Sequence, residues 1–116
     1  PGRAPDLRPM SESFLGEFEQ MVLLAILRRG DDAYGLAIKE ELECVAGRSP
    51  SSGSLYTTLD RLQRKGMVSS RAGDASSDRG GRPRRYLRVS PEGLAALAQS
   101  RGRLMALWDG VEGVLD

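Results

Sequence analysis

A mainly α-helical chain with one small β-hairpin, in the order helix, helix, helix, strand, strand, helix, is the architecture this sequence predicts. Three observations carry it. Apolar residues recur at three- and four-residue intervals in four separate stretches. One later stretch, Arg84 to Val89, alternates instead, with Tyr86 and Arg88 on one side and Leu87 and Val89 on the other. Glycines and serines fall between these stretches, where helices stop and start.

The first helix carries Phe14, Phe18, Met21, Val22, Ala25 and Ile26 at helical spacing, with Ser11 or Ser13 as its cap and Gly30 as its stop. Every position from Met21 to Leu27 is apolar, so this helix needs cover on more than one side, from its own core and from a second subunit. Asp31 and Asp32 offer caps for a second helix with a stripe of Tyr34, Ile38, Leu42 and Val45, ending near Gly47. Cys44 on that helix reads as a small buried hydrophobe. After the turn Ser49-Pro50-Ser51-Ser52, Leu55, Leu59 and Leu62 define a third helix, 51–65, that stops at Gly66. Its opposite side carries Gly53, Ser54, Thr57, Asp60, Arg61 and Arg64, slim and hydroxylated at the start and basic toward the end.

Met67–Ala72 and Arg84–Val89 read as two strands, joined by a long hairpin loop from Gly73 to Pro83. Ser90-Pro91 opens the last helix, serine as cap and proline in the first turn. Positions 94, 97, 101, 104, 108, 111 and 115 then advance by threes and fours as Leu, Leu, Arg, Leu, Trp, Val and Leu, a heptad-type seam suited to a second subunit. Phe18, Val22, Leu97, Leu104, Trp108, Val111 and Leu115 are the candidate dimerisation residues. The expected organisation is a flexible leader at 1–10, a globular unit at 11–89 and a dimerisation helix at 90–116.

Composition removes most chemistry. The 116 residues contain no histidine and one cysteine, which excludes Ser-His-Asp and Cys-His catalysis, His-ligated zinc and an intramolecular disulfide. The acidic trio Glu40, Glu41 and Glu43 reads as a solvated helix face. No enzyme activity, cofactor or metal is expected. The longest apolar run falls short of a bilayer span and no signal-peptide layout is present, so the expected location is cytoplasmic, with no membrane partner.

Charge points to a polyanion. The net charge is only +1, yet residues 61–88 hold nine basic and two acidic side chains, between segments that are each net acidic. Two short helices joined by a polar turn, followed at once by an arginine-rich hairpin, constitute a winged helix-turn-helix arrangement. In it the third helix enters the major groove of double-stranded DNA. Ser54, Thr57 and Thr58 reach base edges or phosphates there, and Arg61 reads guanine or binds a phosphate. Ser51 and Ser52 sit near the backbone at the helix start, and Tyr56 on its flank is either buried or a phosphate donor. The wing, 73–85, neutralises phosphates with Arg79, Arg82 and Arg84, while Arg85 covers the sheet edge. The competing reading is a winged-helix module whose basic side docks an acidic protein; binding of specific duplex over random duplex separates the two.

The stretches Ser52-Gly53-Ser54-Leu55-Tyr56-Thr57-Thr58-Leu59-Asp60-Arg61-Leu62, Lys65-Gly66-Met67-Val68 and Gly81-Arg82-Pro83-Arg84-Arg85-Tyr86-Leu87-Arg88-Val89-Ser90 with Gly93, together with Tyr34-Gly35, closely resemble the PadR family of bacterial transcriptional regulators. The likeness spans about residues 14–116. It implies a homodimeric repressor that binds a palindromic operator, in the compact subgroup with a single C-terminal dimerisation helix. A multidrug-responsive member of that subgroup stacks planar ligands on a tryptophan of its final helix. Counted from Ser90 and Gly93, that position here is Leu104, with Trp108 one turn later. The resemblance therefore makes Leu104 and Trp108 the candidate residues for a small aromatic effector at the dimer interface, the departure favouring a packing role for Trp108.

Overall fold

The first helix, α1, spans Glu17–Arg29 and begins at Gly16, whose N–H donates to Glu19 Oε1 at 3.0 Å. The serines expected as its cap, Ser11 and Ser13, lie with the leader outside the residues described by the computed structural model, which are 14–75 and 83–116. Val22, Leu23, Ala25 and Ile26 turn into the core, whereas Phe14 precedes the helix and is exposed, and Phe18 and Met21 only flank the core. The buried arc is therefore rotated from the expected stripe toward Glu19 and Leu23. Val22, expected at a subunit seam, is wholly enclosed by its own chain; Leu24 and Leu27 are the apolar residues of this helix left bare.

Asp31 and Asp32 form a 3₁₀ turn with Gly30 rather than a cap, and α2 (Gly35–Ala46) starts from Tyr34 in extended geometry. Ile38 and Leu42 are buried as expected, but the last turn has no neighbour above it, so Val45 and Cys44 are exposed. Glu41 is not part of a solvated face either: it accepts from Arg28 and from Arg29, the latter at 2.9 Å, and clamps α1 to α2.

In α3 (Ser52–Arg64) the Ser51 Oγ accepts from the Ser54 N–H at 3.1 Å and caps the helix, and Leu55, Leu59 and Leu62 are fully buried. Each such leucine stabilises the fold by about 1.5–3 kcal/mol relative to an exposed one. The glycines expected as helix stops, Gly30, Gly47 and Gly66, all follow their helices with positive φ.

Strands β1 (Val68–Ala75) and β2 (Pro83–Val89) pair antiparallel, Val68 opposite Val89 and Arg71 opposite Tyr86, with an irregularity between Ala72 and Ala75. The pairing thus reaches further into the expected loop than the alternation pattern does. Leu87 and Val89 face the core and Arg88 faces out. The hairpin is also fastened on its other edge, where the Leu87 N–H donates to the Ala33 carbonyl at 2.8 Å and Tyr34 bridges Tyr86. That bond ties the hairpin to the start of α2.

Helix α4 (Pro91–Trp108) is capped by Ser90, whose Oγ accepts from the Gly93 N–H at 3.1 Å and donates to the Gly66 carbonyl at 2.6 Å. A Cβ on Gly93 would stand 2.4 Å from the Met67 carbonyl oxygen, so only glycine lets the helix start this close to the β1 strand. Ala96 is buried and Leu97 packs on the core; from Arg101 onward every residue is exposed. The expected seam does not run to Leu115 in one helix. Gly110, at φ 88°, turns the chain after Trp108, and Glu112–Leu115 is a separate 3₁₀ turn, so Val111 and Leu115 lie beyond the helix.

Candidate nucleic-acid interface

Because three leucines anchor one side of α3, its other side is presented outward. Ser52, Gly53, Ser54, Thr57, Asp60 and Arg64 are all exposed on it. The small side chains at its start leave the backbone accessible, and the Ser51 cap keeps the first turn ordered. Thr58 is not on this side: it is 3 % exposed, on the same arc as Leu55 and Leu62, and cannot reach a ligand laid against α3. Tyr56 is half-exposed, with its hydroxyl against Gly35 so closely that a Cβ there would meet it at 2.3 Å. Its ring thereby braces α3 against the start of α2 while its edge stays open to water.

The C-terminal half of α3 is wired to its surroundings in a way that sequence alone did not reveal. Arg85, on the core-facing side of β2, pairs with Asp60 at 3.3 Å and donates to the Gln63 side-chain oxygen; Gln63 in turn donates to Ser70 Oγ of β1 at 3.2 Å. The lone acidic residue within a basic helix face was the available signal. Arg61 Nε donates to Glu19 Oε2 at 3.0 Å, and Lys65 Nζ donates to the same oxygen at 2.9 Å and to the Phe14 carbonyl at 3.2 Å. Burial pushes the Glu19 carboxyl up, but Lys65, the Gly16 N–H and Arg61 together outweigh it and hold the group below the usual carboxylate range.

That direction sets a pH dependence. A carboxyl that binds its proton more weakly folded than unfolded adds stability above the usual carboxylate range, and the gain is lost as pH falls through that range, about pH 4, toward the folded value. The urea midpoint is expected to drop with acidification there, and to drop less in Glu19→Gln, Glu41 with its Arg28 partner supplying part of the remainder. Parallel curves for the two proteins would remove Glu19 from this account.

On the other side of the hairpin the Arg84 guanidinium lies 4.0 Å over the Tyr34 ring, Arg71 lies 4.7 Å over Tyr86, and the two tyrosines meet edge-on at 5.9 Å. The neighbouring Tyr86 hydroxyl is the main cause that raises the Arg84 pKa above its usual value, and the stacking on Tyr34 gives this permanent cation a fixed seat. Arg79 and Arg82 lie outside the described residues.

A second feature sits away from α3. Leu24 and Leu27 of α1 and Leu94, Leu97, Leu104 and Trp108 of α4 line an apolar groove of about 470 Å³. The core of a lone domain does not require so much bare leucine.

The model of the PadR-like transcriptional regulator family matches residues 23–99, which takes in α2, α3, both strands and the start of α4. The chain belongs to the PadR-like family of transcriptional regulators. Among solved structures it is similar to a PadR family transcriptional regulator from Eggerthella lenta, at 26 % identity over 95 % of this chain and 92 % of that one, TM-score 0.63. It shares its fold with a PadR-like transcription factor from Bacteroides fragilis, at 21 % identity, TM-score 0.68, over 95 % and 99 % of the two chains. An uncharacterized protein of Lysinibacillus sphaericus is 29 % identical over 108 residues, 91 % of each chain. As a PadR-like regulator the chain is a DNA-binding, non-enzymatic protein. None of its described helices is long and apolar enough to cross a membrane.

Proposed function

We propose that the protein is a homodimeric repressor that reads a palindromic operator, α3 entering the major groove and the hairpin lying along the neighbouring backbone. The observation that carries this is the outward face of α3: serines, a glycine and Thr57 at its start and Arg64 toward its end, with the half-buried Arg61 on its flank, beside a hairpin that holds Arg84 over Tyr34. Slim hydroxylated residues allow close approach to base edges, and fixed guanidinium groups meet phosphates on both sides. The bare leucines of α4 and α1 support a two-fold dimer, which would set two α3 helices about 34 Å apart, one turn of B-DNA.

Selecting bound fragments from a pool of random duplexes tests the reading. Enrichment of an inverted repeat with half-sites about one helical turn apart is the expected result; a pool that stays unenriched overturns it. The groove also supports an effector role for Leu104 and Trp108, since both line it and its size suits a drug-sized planar molecule. Trp108 is the chain's one tryptophan, so planar aromatic ligands are expected to quench its emission. A panel of such compounds that leaves emission unchanged would strike this role.

A further inference from the structure

Among the described residues Glu19 is the one buried acidic side chain, and two of its partners are Arg61 in the last turn of the DNA-reading helix and Lys65 at its C-terminal cap. Its side chain is 8 % exposed, and it accepts from the Gly16 N–H, from Arg61 Nε and, through both oxygens, from Lys65 Nζ at 2.9 and 3.1 Å. These bonds join the first turn of α1 to the last turn of α3 across 42 to 46 residues of sequence. Packing alone does not require them: the three leucines already bury α3, and a carboxylate is a costly way to fill a core.

The arrangement does something to Arg61 that a leucine could not. Its Nε is occupied, its side chain is 44 % exposed, and among the described residues no partner engages its terminal nitrogens. One edge of the planar guanidinium is thus fixed against protein, which leaves the pair of terminal nitrogens available as a fork for two further acceptors. A fork of that kind reads two acceptors at once, as on the edge of a guanine or on a phosphate, and holding it in advance reduces the rotamer freedom lost on binding. Lys65 is drawn inward by the same carboxylate and by the Phe14 carbonyl, which withdraws a mobile point charge from the face that meets DNA.

We infer that Glu19 is a positioning residue for sequence discrimination: from behind α3 it aims Arg61 at the DNA and keeps Lys65 off it. The inference rests on the proposed DNA-reading role of α3. It is tested by fluorescence anisotropy with a duplex enriched by the wild-type protein and a scrambled duplex of equal length. The proteins are wild type, Glu19→Gln, Arg61→Ala and the double variant, each confirmed folded by circular dichroism at the measuring temperature. In Glu19→Gln the affinity ratio of selected to scrambled duplex is expected to fall about fivefold or more, the scale of one missing bidentate pair. Binding to the scrambled duplex should hold or rise as Lys65 is released. In the Arg61→Ala background the same change should cost no further discrimination.

A role for Glu19 in stability alone would lower the unfolding midpoint and leave the ratio at its wild-type value, which overturns the inference. So would a fall of equal size with and without Arg61. If wild type itself fails to distinguish the duplexes, the DNA-reading proposal fails first and takes this one with it, an outcome separate from the other two.

Discussion

Replacing Leu94 and Leu104 together with aspartate is expected to yield a folded monomer that binds its operator about 100-fold or more weakly than the parent chain. Both leucines are about half-exposed and line the groove between α4 and α1. In an isolated chain a carboxylate at either position meets water, so the fold should lose little, within the range of ordinary surface changes. Inside a dimer seam the same carboxylates would be buried opposite leucines, and Arg101, which also lines the groove, can neutralise only one of the two in each protomer, so association built on apolar packing is expected to fail. The weaker binding follows from linkage, because the DNA-facing residues themselves are untouched. In a dimer the second α3 is delivered to its half-site at an effective concentration near millimolar, and a monomer has no such second event. Sedimentation gives the state, circular dichroism the fold, and anisotropy the affinity. A variant that stays dimeric, or a monomer that binds as tightly as the parent, would refute the two-fold arrangement.

The parts of the fold legible in the sequence are those specified over short distances. Leu55, Leu59 and Leu62 needed only a helical period with contrasting neighbours, and the Ser51 and Ser90 caps needed only three residues each. The alternation of Leu87 and Val89 against Arg88 placed β2 correctly for the same reason. Where contrast is missing, the pattern is ambiguous. Seven consecutive apolar residues in α1 fit any rotation of that helix, and the observed one buries Glu19, whose cationic partners are more than forty positions away. A glutamate at the start of a helix is ordinarily a surface residue favoured by the backbone dipole, so nothing local marks this one as interior. Thr58 is misplaced by pattern because its neighbours in sequence are hydroxylated, although its angular position is that of the leucines. The end of α4 fails differently: the seven-residue spacing continues through Val111 and Leu115, but Gly110 and Gly113 deny the helix the propensity to follow it without a partner's surface. For the candidate site, the sequence places Ser54, Thr57 and Arg64 on an exposed face of α3 with a hairpin following it, but not the wiring of Arg61, Lys65 and Arg85, which depends on bonds between elements.

Ionic strength should separate the two classes of interaction at this surface. With three to five phosphates met by each protomer, a dimer neutralises roughly six to ten, and affinity is expected to fall about 10³- to 10⁵-fold between 50 and 200 mM salt. Arg84 belongs to this class by position: it lies on the side of the hairpin away from the Asp60–Arg85 pair and its charge is held over Tyr34 rather than neutralised by a carboxylate. Changing Arg82 and Arg84 to alanine removes four such phosphate partners per dimer, and the slope of log affinity against log salt should flatten by about 3 to 4. Binding should weaken alike on selected and scrambled duplexes, because phosphates carry no sequence. Thr57 belongs to the other class. It is exposed on the outward face of α3 and uncharged, so Thr57→Ala should change which duplex is preferred while the salt slope stays where it was. An arginine pair whose removal leaves the slope intact would take the hairpin off the DNA. A threonine whose removal leaves preference intact would move base reading away from the start of α3, to the Arg61 fork that Glu19 holds.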